Sequence, residues 1–162
     1  MPISITLIGG PTALIEIDGF RLLTDPTFDD AHTAYQLPHV KLEKTIGPAL
    51  KPDAIGPVDA VLLSHDQHSD NLDNSGREFL KHAKRVLTTE AGARRLGGHV
   101  EGLAPWTTSH LKDGDGNALT ITATPARHGP AGIEPLSGDV IGFVVSSSRK
   151  DTDTVYISGD TT

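Results

Sequence analysis

The run Val58-Asp59-Ala60-Val61-Leu62-Leu63 leads directly into Ser64-His65-Asp66-Gln67-His68-Ser69-Asp70-Asn71. A short, almost wholly apolar run is consistent with a strand buried inside a layered domain. Two imidazoles and two carboxylates then sit within six residues at that strand's carboxyl end. A loop in that position can turn several side chains toward one point.

The flanking sequence supports a sheet around this strand. Ile3 to Ile8 alternates apolar and polar residues, Gly9-Gly10-Pro11 is a turn, and Ala13–Ile17 and Phe20–Thr24 are strands joined by the hairpin signal Asp18-Gly19. Residues 26–57 hold five prolines and read as a long loop lying over something. Beyond the histidine loop, Asn74 or Ser75 is expected to cap a helix running to about Ala83. Arg85–Thr88 is a strand, and Thr89 caps a helix over Glu90–Leu96 that Gly97-Gly98 ends. The chain then returns to strands at His99–Leu103, Ala118–Thr124, Val140–Ser146 and Thr154–Ser158, with a hairpin loop at Lys112–Asn117. Strands, then strand–helix units, then strands again give a mixed α/β sandwich rather than an alternating dinucleotide-binding pattern.

Bulk properties narrow the function. A chain of 162 residues suits one domain, here residues 1–162. The net charge is -7 and no basic run exceeds two residues, which disfavours nucleic acid and anionic membranes as partners. There is no cysteine, so any metal must be held by histidine, carboxylate or amide oxygen. The N-terminal residues read as a first strand rather than a signal peptide, and a cytoplasmic protein is the expectation.

Three strand-end loops carry the chemistry. The first is His65–Asp70. The second is Pro125-Ala126-Arg127-His128-Gly129-Pro130, where proline and glycine fix the backbone around His128. The third is Ser158-Gly159-Asp160. Each alone reads as a polar loop; together they deliver the His and carboxylate ligands that zinc takes in catalytic sites with an open water position. A calcium loop counted from Asp66 fails, because Asn71 and Arg77 stand where glycine and glutamate are needed. Neither Ser64 nor Ser158 lies in a nucleophile-elbow motif. His32 and His39 lie in the long loop within conceivable reach of the site, whereas His82, His99 and His110 lack such context.

These features together resemble the metallo-β-lactamase superfamily, and look most like the branch containing ascorbate-6-phosphate lactonase. The opening, with Leu14-Ile15-Glu16, Asp18-Gly19 and Leu22-Leu23-Thr24-Asp25-Pro26, fits that branch. The family motif is H-x-H-x-D-H. Here one residue is inserted between the histidines and Asn71 replaces the last histidine; an alternative register without the insertion puts Gln67 at a ligand position. The resemblance implies a four-layer αββα sandwich whose second half is incomplete, since the family normally continues beyond a point such as Thr162 and supplies one more histidine. It assigns His65, His68 and His128 to a first metal site, Asp70 to a second, and Asp160 to both. It implies zinc, one or two ions, with manganese or iron also compatible.

The implied activity is hydrolysis of an ester, lactone or phosphodiester by a metal-activated water, with Asp70 orienting that water or taking its proton. Asn71 predicts a weak or absent second metal. The expected partner is a small-molecule substrate, with a homo-oligomer or a missing C-terminal half completing the sandwich. Two rivals stand beside this reading: a binding or structural module with a degraded site, and an iron-dependent oxygen-activating member of the fold.

Overall fold

The computed structural model describes residues 3–36, 41–130, 132 and 138–161. In chain order the elements are β1 (Ser4–Gly9), β2 (Thr12–Ile17), β3 (Phe20–Thr24), β4 (Ala34–Gln36), β5 (Lys41–Glu43), α1 (Pro52–Ile55), β6 (Ala60–Leu62), α2 (Asn74–Leu80), β7 (Val86–Thr89), α3 (Glu90–Leu96), β8 (Val100–Leu103), β9 (Thr108–Lys112), β10 (Ala118–Pro125), β11 (Ile141–Ser147) and β12 (Val155–Ile157). A six-stranded sheet runs β1-β2-β3-β6-β7-β8 and a four-stranded sheet runs β12-β11-β10-β9. The strands β1 to β3 are antiparallel neighbours, whereas β6, β7 and β8 continue the sheet in parallel. The four-stranded sheet is antiparallel throughout.

The pleat explains why β6 reads as an unbroken apolar run. Ala60 and Leu62 face the second sheet with Leu22, Leu87, Leu119, Ile121 and Phe143. Val61 and Leu63 face the other way, onto Leu23, Phe79, Leu80 and Val86 under the helices. Both faces are buried, so no polar alternation survives. Helix, sheet and sheet form three layers among the described residues. None of the described helices is long and apolar enough to cross a membrane.

The two sheets differ in width. Ile3 packs against the inter-sheet core, and Ile5 and Leu7, two and four residues on, share its face. Nothing among the described residues covers them, and they are 60% and 68% exposed. They leave a small apolar patch on the edge strand of the six-stranded sheet.

The structure corrects several local expectations. The N-cap of α2 is Asp73, not Asn74 or Ser75; its carboxylate accepts from the Gly76 N–H at 2.7 Å. The same helix stops at Leu80, although Ala83 stays buried in the turn beyond it. The long loop holds the β4–β5 hairpin and the single turn α1. Strand β9 was not anticipated: it turns Ser109 and Leu111 inward, and its one large apolar residue gives little periodic signal. The cap of α3 is Thr89, as expected, accepting from Gly92 N–H at 2.9 Å.

Candidate metal centre

His65 follows β6 and is fully buried. The loop that carries it is clamped from three sides. Ser64 N–H donates to Asp25 Oδ1 at 2.6 Å, Ile141 N–H donates to the Ser64 carbonyl at 3.1 Å, and the Asn71 and Leu72 N–H groups return to the His68 carbonyl at 3.1 and 2.9 Å. These bonds make a tight turn that presents His65 and His68 on one side. His128 arrives from the second sheet, three residues after β10. Its loop is held to the end of the described chain by Arg127 N–H donating to Thr161 Oγ1 at 3.1 Å. Gly159 brings that end in: its φ is +65°, and a Cβ there would lie 2.7 Å from the Ile141 carbonyl oxygen and 3.0 Å from Ser64 Cβ.

The three imidazoles converge. One ring nitrogen from each of His65, His68 and His128 lies within 4.8 Å of the others. His65 Nε2 is 3.2 Å and His128 Nε2 3.0 Å from the same atom, His68 Nδ1. That nitrogen carries one proton or one lone pair, so it can make one good hydrogen bond of the two. The geometry suits three lone pairs directed at a shared cation better than a hydrogen-bonded trio. Burial, reinforced by His68 and His128, pushes the His65 imidazole down to about 4, so it is neutral at physiological pH with a lone pair to offer. Asp160 Oδ2 lies 3.2 Å from His128 Nε2. The donor set therefore fits a divalent metal.

Behind His65 lies a second set of polar contacts. His65 Nδ1 is 2.9 Å from Ser64 Oγ, which also receives Asn71 Nδ2 at 3.3 Å. The Ser64 hydroxyl and the Asn71 amide bond in turn to the Asp25 carboxyl, whose burial raises it to about 7 against the pull of those bonds. With Nδ1 donating to Ser64, Nε2 is left to face the cluster, the outer-partner arrangement that fixes a ligand's tautomer. Asn71 is thus occupied by Ser64 and Asp25.

The other residues singled out from sequence separate clearly. Asp70 is exposed and lines a cavity with Asp25, Asn71 and Asp160, but does not join the imidazole cluster. Gln67 is exposed and folds its Oε1 back to Asp66 N–H at 3.2 Å, while His68 takes the place beside His65. That geometry favours the register with the inserted residue. Asp66 is buried and turns away from the cluster to pair with Arg95, which is itself exposed. His32 pairs with Glu43 at the surface, His99 Nε2 meets the Leu80 carbonyl at 3.0 Å, and His110 meets Thr120. His39 lies outside the described residues. Sequence reasoning missed the supporting roles of Ser64, Asn71, Asp25 and Arg95. Asp25 alone left a signal, as an Asp-Pro step ending a strand.

Comparison with known proteins agrees with this architecture. A family model described as "Beta-lactamase superfamily domain" matches residues 20–162. Uncharacterized proteins of Mycobacterium bovis and Mycobacterium tuberculosis are 32% identical over 133 residues, which is 78% of this chain and 34% of each relative. The chain thus spans about a third of the length of these curated relatives. The crystal structure of isothiocyanate hydrolase from Delia radicum gut bacteria superposes with a TM-score of 0.75 at 25% identity, over 98% of this chain and 63% of that one. A possible metal-dependent hydrolase from Veillonella parvula superposes with a TM-score of 0.76 at 21% identity, over 99% of this chain and 63% of that one. With the matched model covering most of its length, the chain belongs to the β-lactamase superfamily and has the fold of its metallo-hydrolases.

Proposed function

We propose that this protein is a metal-dependent hydrolase in which His65, His68 and His128 hold the metal and Asp160, beside His128, completes or borders its ligand set. The convergence of three ring nitrogens within 4.8 Å carries the reading. Zinc is the proposed metal, because neutral imidazoles with one nearby carboxylate suit it. When bound, such an ion lowers the pKa of a water toward ~7 and polarises the bond under attack. The chain's own residues do the rest. Ser64 orients His65, and Asp70, exposed on the wall of the adjoining cavity, positions the water and takes its proton. Asn71 is engaged by Ser64 and Asp25, which supports one ion rather than two.

The substrate is a small molecule. Esters and lactones follow from the motif resemblance, including its lactonase-like branch, phosphodiesters from the same source, and isothiocyanates from the structural neighbour of that activity. A cytoplasmic setting accompanies this reading, supported by the cysteine-free composition.

The test is metal stoichiometry by elemental mass spectrometry on untagged, dialysed protein, beside a His65→Ala/His128→Ala double variant, with turnover measured on the four substrate classes. About one zinc per chain, lost in the variant together with turnover, is the expected result. Metal retained by the double variant would overturn the ligand assignment. Iron in place of zinc would redirect the chemistry toward oxygen activation.

A further inference from the structure

We infer that the substrate is held by an uncharged, apolar group lodged in a pocket beneath the β4–β5 hairpin, and that an anionic group there is rejected. The inference rests on the hydrolase reading and narrows its substrate class.

A cavity of about 500 Å³, within the usual range for small-molecule sites, lies between the β1–β2 turn, the hairpin with the segment after it, and the far side of the histidine loop. Pro11, Tyr35, Leu42, Ile46, Pro48 and Asp70 are among its walls. A neighbouring cavity of about 380 Å³ is lined by Asp25, Ser158, Gly159 and Asp160, and shares Pro11 and Asp70 with the first. A molecule seated under the hairpin therefore has its other end beside Asp70 and Asp160, next to His128. Ile46 is 79% and Leu42 38% exposed, which gives the larger cavity apolar surface that a ligand can cover.

Electrostatics decide what that ligand is. Among the described lining residues the cation is Lys44, and it is spoken for: Nζ donates to the Thr27 carbonyl and to the fully buried Asp73 carboxylate, both at 3.0 Å. The Tyr35 hydroxyl is likewise committed, donating to Asp29 Oδ2 at 2.8 Å. Asp70 supplies negative charge, as does Glu43, whose partner is the surface imidazole of His32 rather than a Lys or Arg. A phosphate or carboxylate in this pocket would meet two carboxylates and lose its hydration without a free cation to replace it. An alkyl or aryl group would meet Leu42, Ile46 and Pro48.

The experiment uses the zinc-loaded protein and 4-nitrophenyl esters from acetate to hexanoate, with the hemisuccinate as the anionic match to butyrate. Full burial of each added methylene is worth about fourfold. We expect kcat/KM to rise ~tenfold or more from acetate to hexanoate, and to fall ~tenfold or more from butyrate to hemisuccinate. Ile46→Asp should flatten the chain-length dependence, while Leu7→Thr, on β1 but outside the pocket's lining, should leave it intact. A readout independent of turnover is titration of the protein with hexanamide, followed through the methyl NMR signals of Leu42 and Ile46. Shifts at those methyls support the pocket even if no ester is hydrolysed, which would fail the hydrolase reading alone. Hydrolysis that is indifferent to chain length and charge, or hexanamide that leaves both methyl signals unmoved, would overturn the pocket.

Discussion

Replacing Arg95 should loosen the histidine loop without touching any histidine. Asp66 stands between His65 and His68 with its side chain 3% exposed, and its carboxylate is gripped by Arg95 Nε at 2.9 and 3.1 Å and by Nη2 at 2.5 Å. Removing one partner of a fully buried ion pair costs about 3–5 kcal/mol. Arg95 is itself 44% exposed, so water can reach the carboxylate once the guanidinium is gone; about 2 kcal/mol is the reasonable figure for Arg95→Ala. The carboxylate will turn outward to find that water and carry its neighbours with it, so zinc affinity should drop by about tenfold, the lower end of the effect of losing a partner bonded to a ligand itself, because Asp66 acts on the histidines only through the loop backbone. Arg95→Lys keeps the charge but not the planar fork and should fall between the two. Urea melts in the presence of chelator measure the first effect, and competition against a chromophoric zinc chelator measures the second. If Arg95→Ala unfolds within about 0.5 kcal/mol of the parent and binds zinc within about twofold, the pair neither stabilises the fold nor positions the loop.

Three further outcomes are expected. Burial raises Asp25 from 3.8 to about 7, so the folded chain keeps a proton that the unfolded chain has released over that interval, and the stability this contributes is lost as pH rises from 3.8 through 7. Asp25→Asn cannot titrate; urea melts of the metal-free proteins should show the variant gaining on the parent between pH 5 and pH 8, and a constant difference would contradict the raised value. Gly76→Ala places a Cβ 1.9 Å from the Pro26 carbonyl oxygen, a clash with backbone that should cost 3 kcal/mol or more (about the upper end for overpacking) and show as a lowered thermal midpoint. Ile5→Thr with Leu7→Thr, on the uncovered face of β1, should leave the thermal midpoint within a few degrees and slow aggregation in light scattering, since little burial is lost there.

The strand β6 and its histidine loop were legible because two-sided burial leaves an apolar run and because ligand residues cannot be disguised. The ends of α2 were less so. Asp73, Asn74 and Ser75 are all good caps by type. The choice falls to Asp29, 44 residues before Asp73, which takes the Asn74 and Ser75 N–H groups and the Ser75 hydroxyl and leaves Asp73 to receive Gly76. The partnership of Asp66 with Arg95 is illegible for the same reason: charge is visible in sequence, but the partner is selected by how α3 packs. Strand β9 escaped because Ser109 occupies an inward position that apolar periodicity would assign to a larger residue.

The imidazole cluster also has a topological consequence. His68 leaves the six-stranded sheet and His128 the four-stranded one, and 60 residues of chain separate them. An ion gripped by both is a staple across the rim of the sandwich, the reversible counterpart of a cross-link that would, if covalent, be worth on the order of 4 kcal/mol for a loop of this length. A chain without cysteine would thus have its sheets fastened by a device answering to metal supply and acidity instead of redox state, tightening as free zinc rises above its dissociation constant and releasing as the imidazoles take up protons.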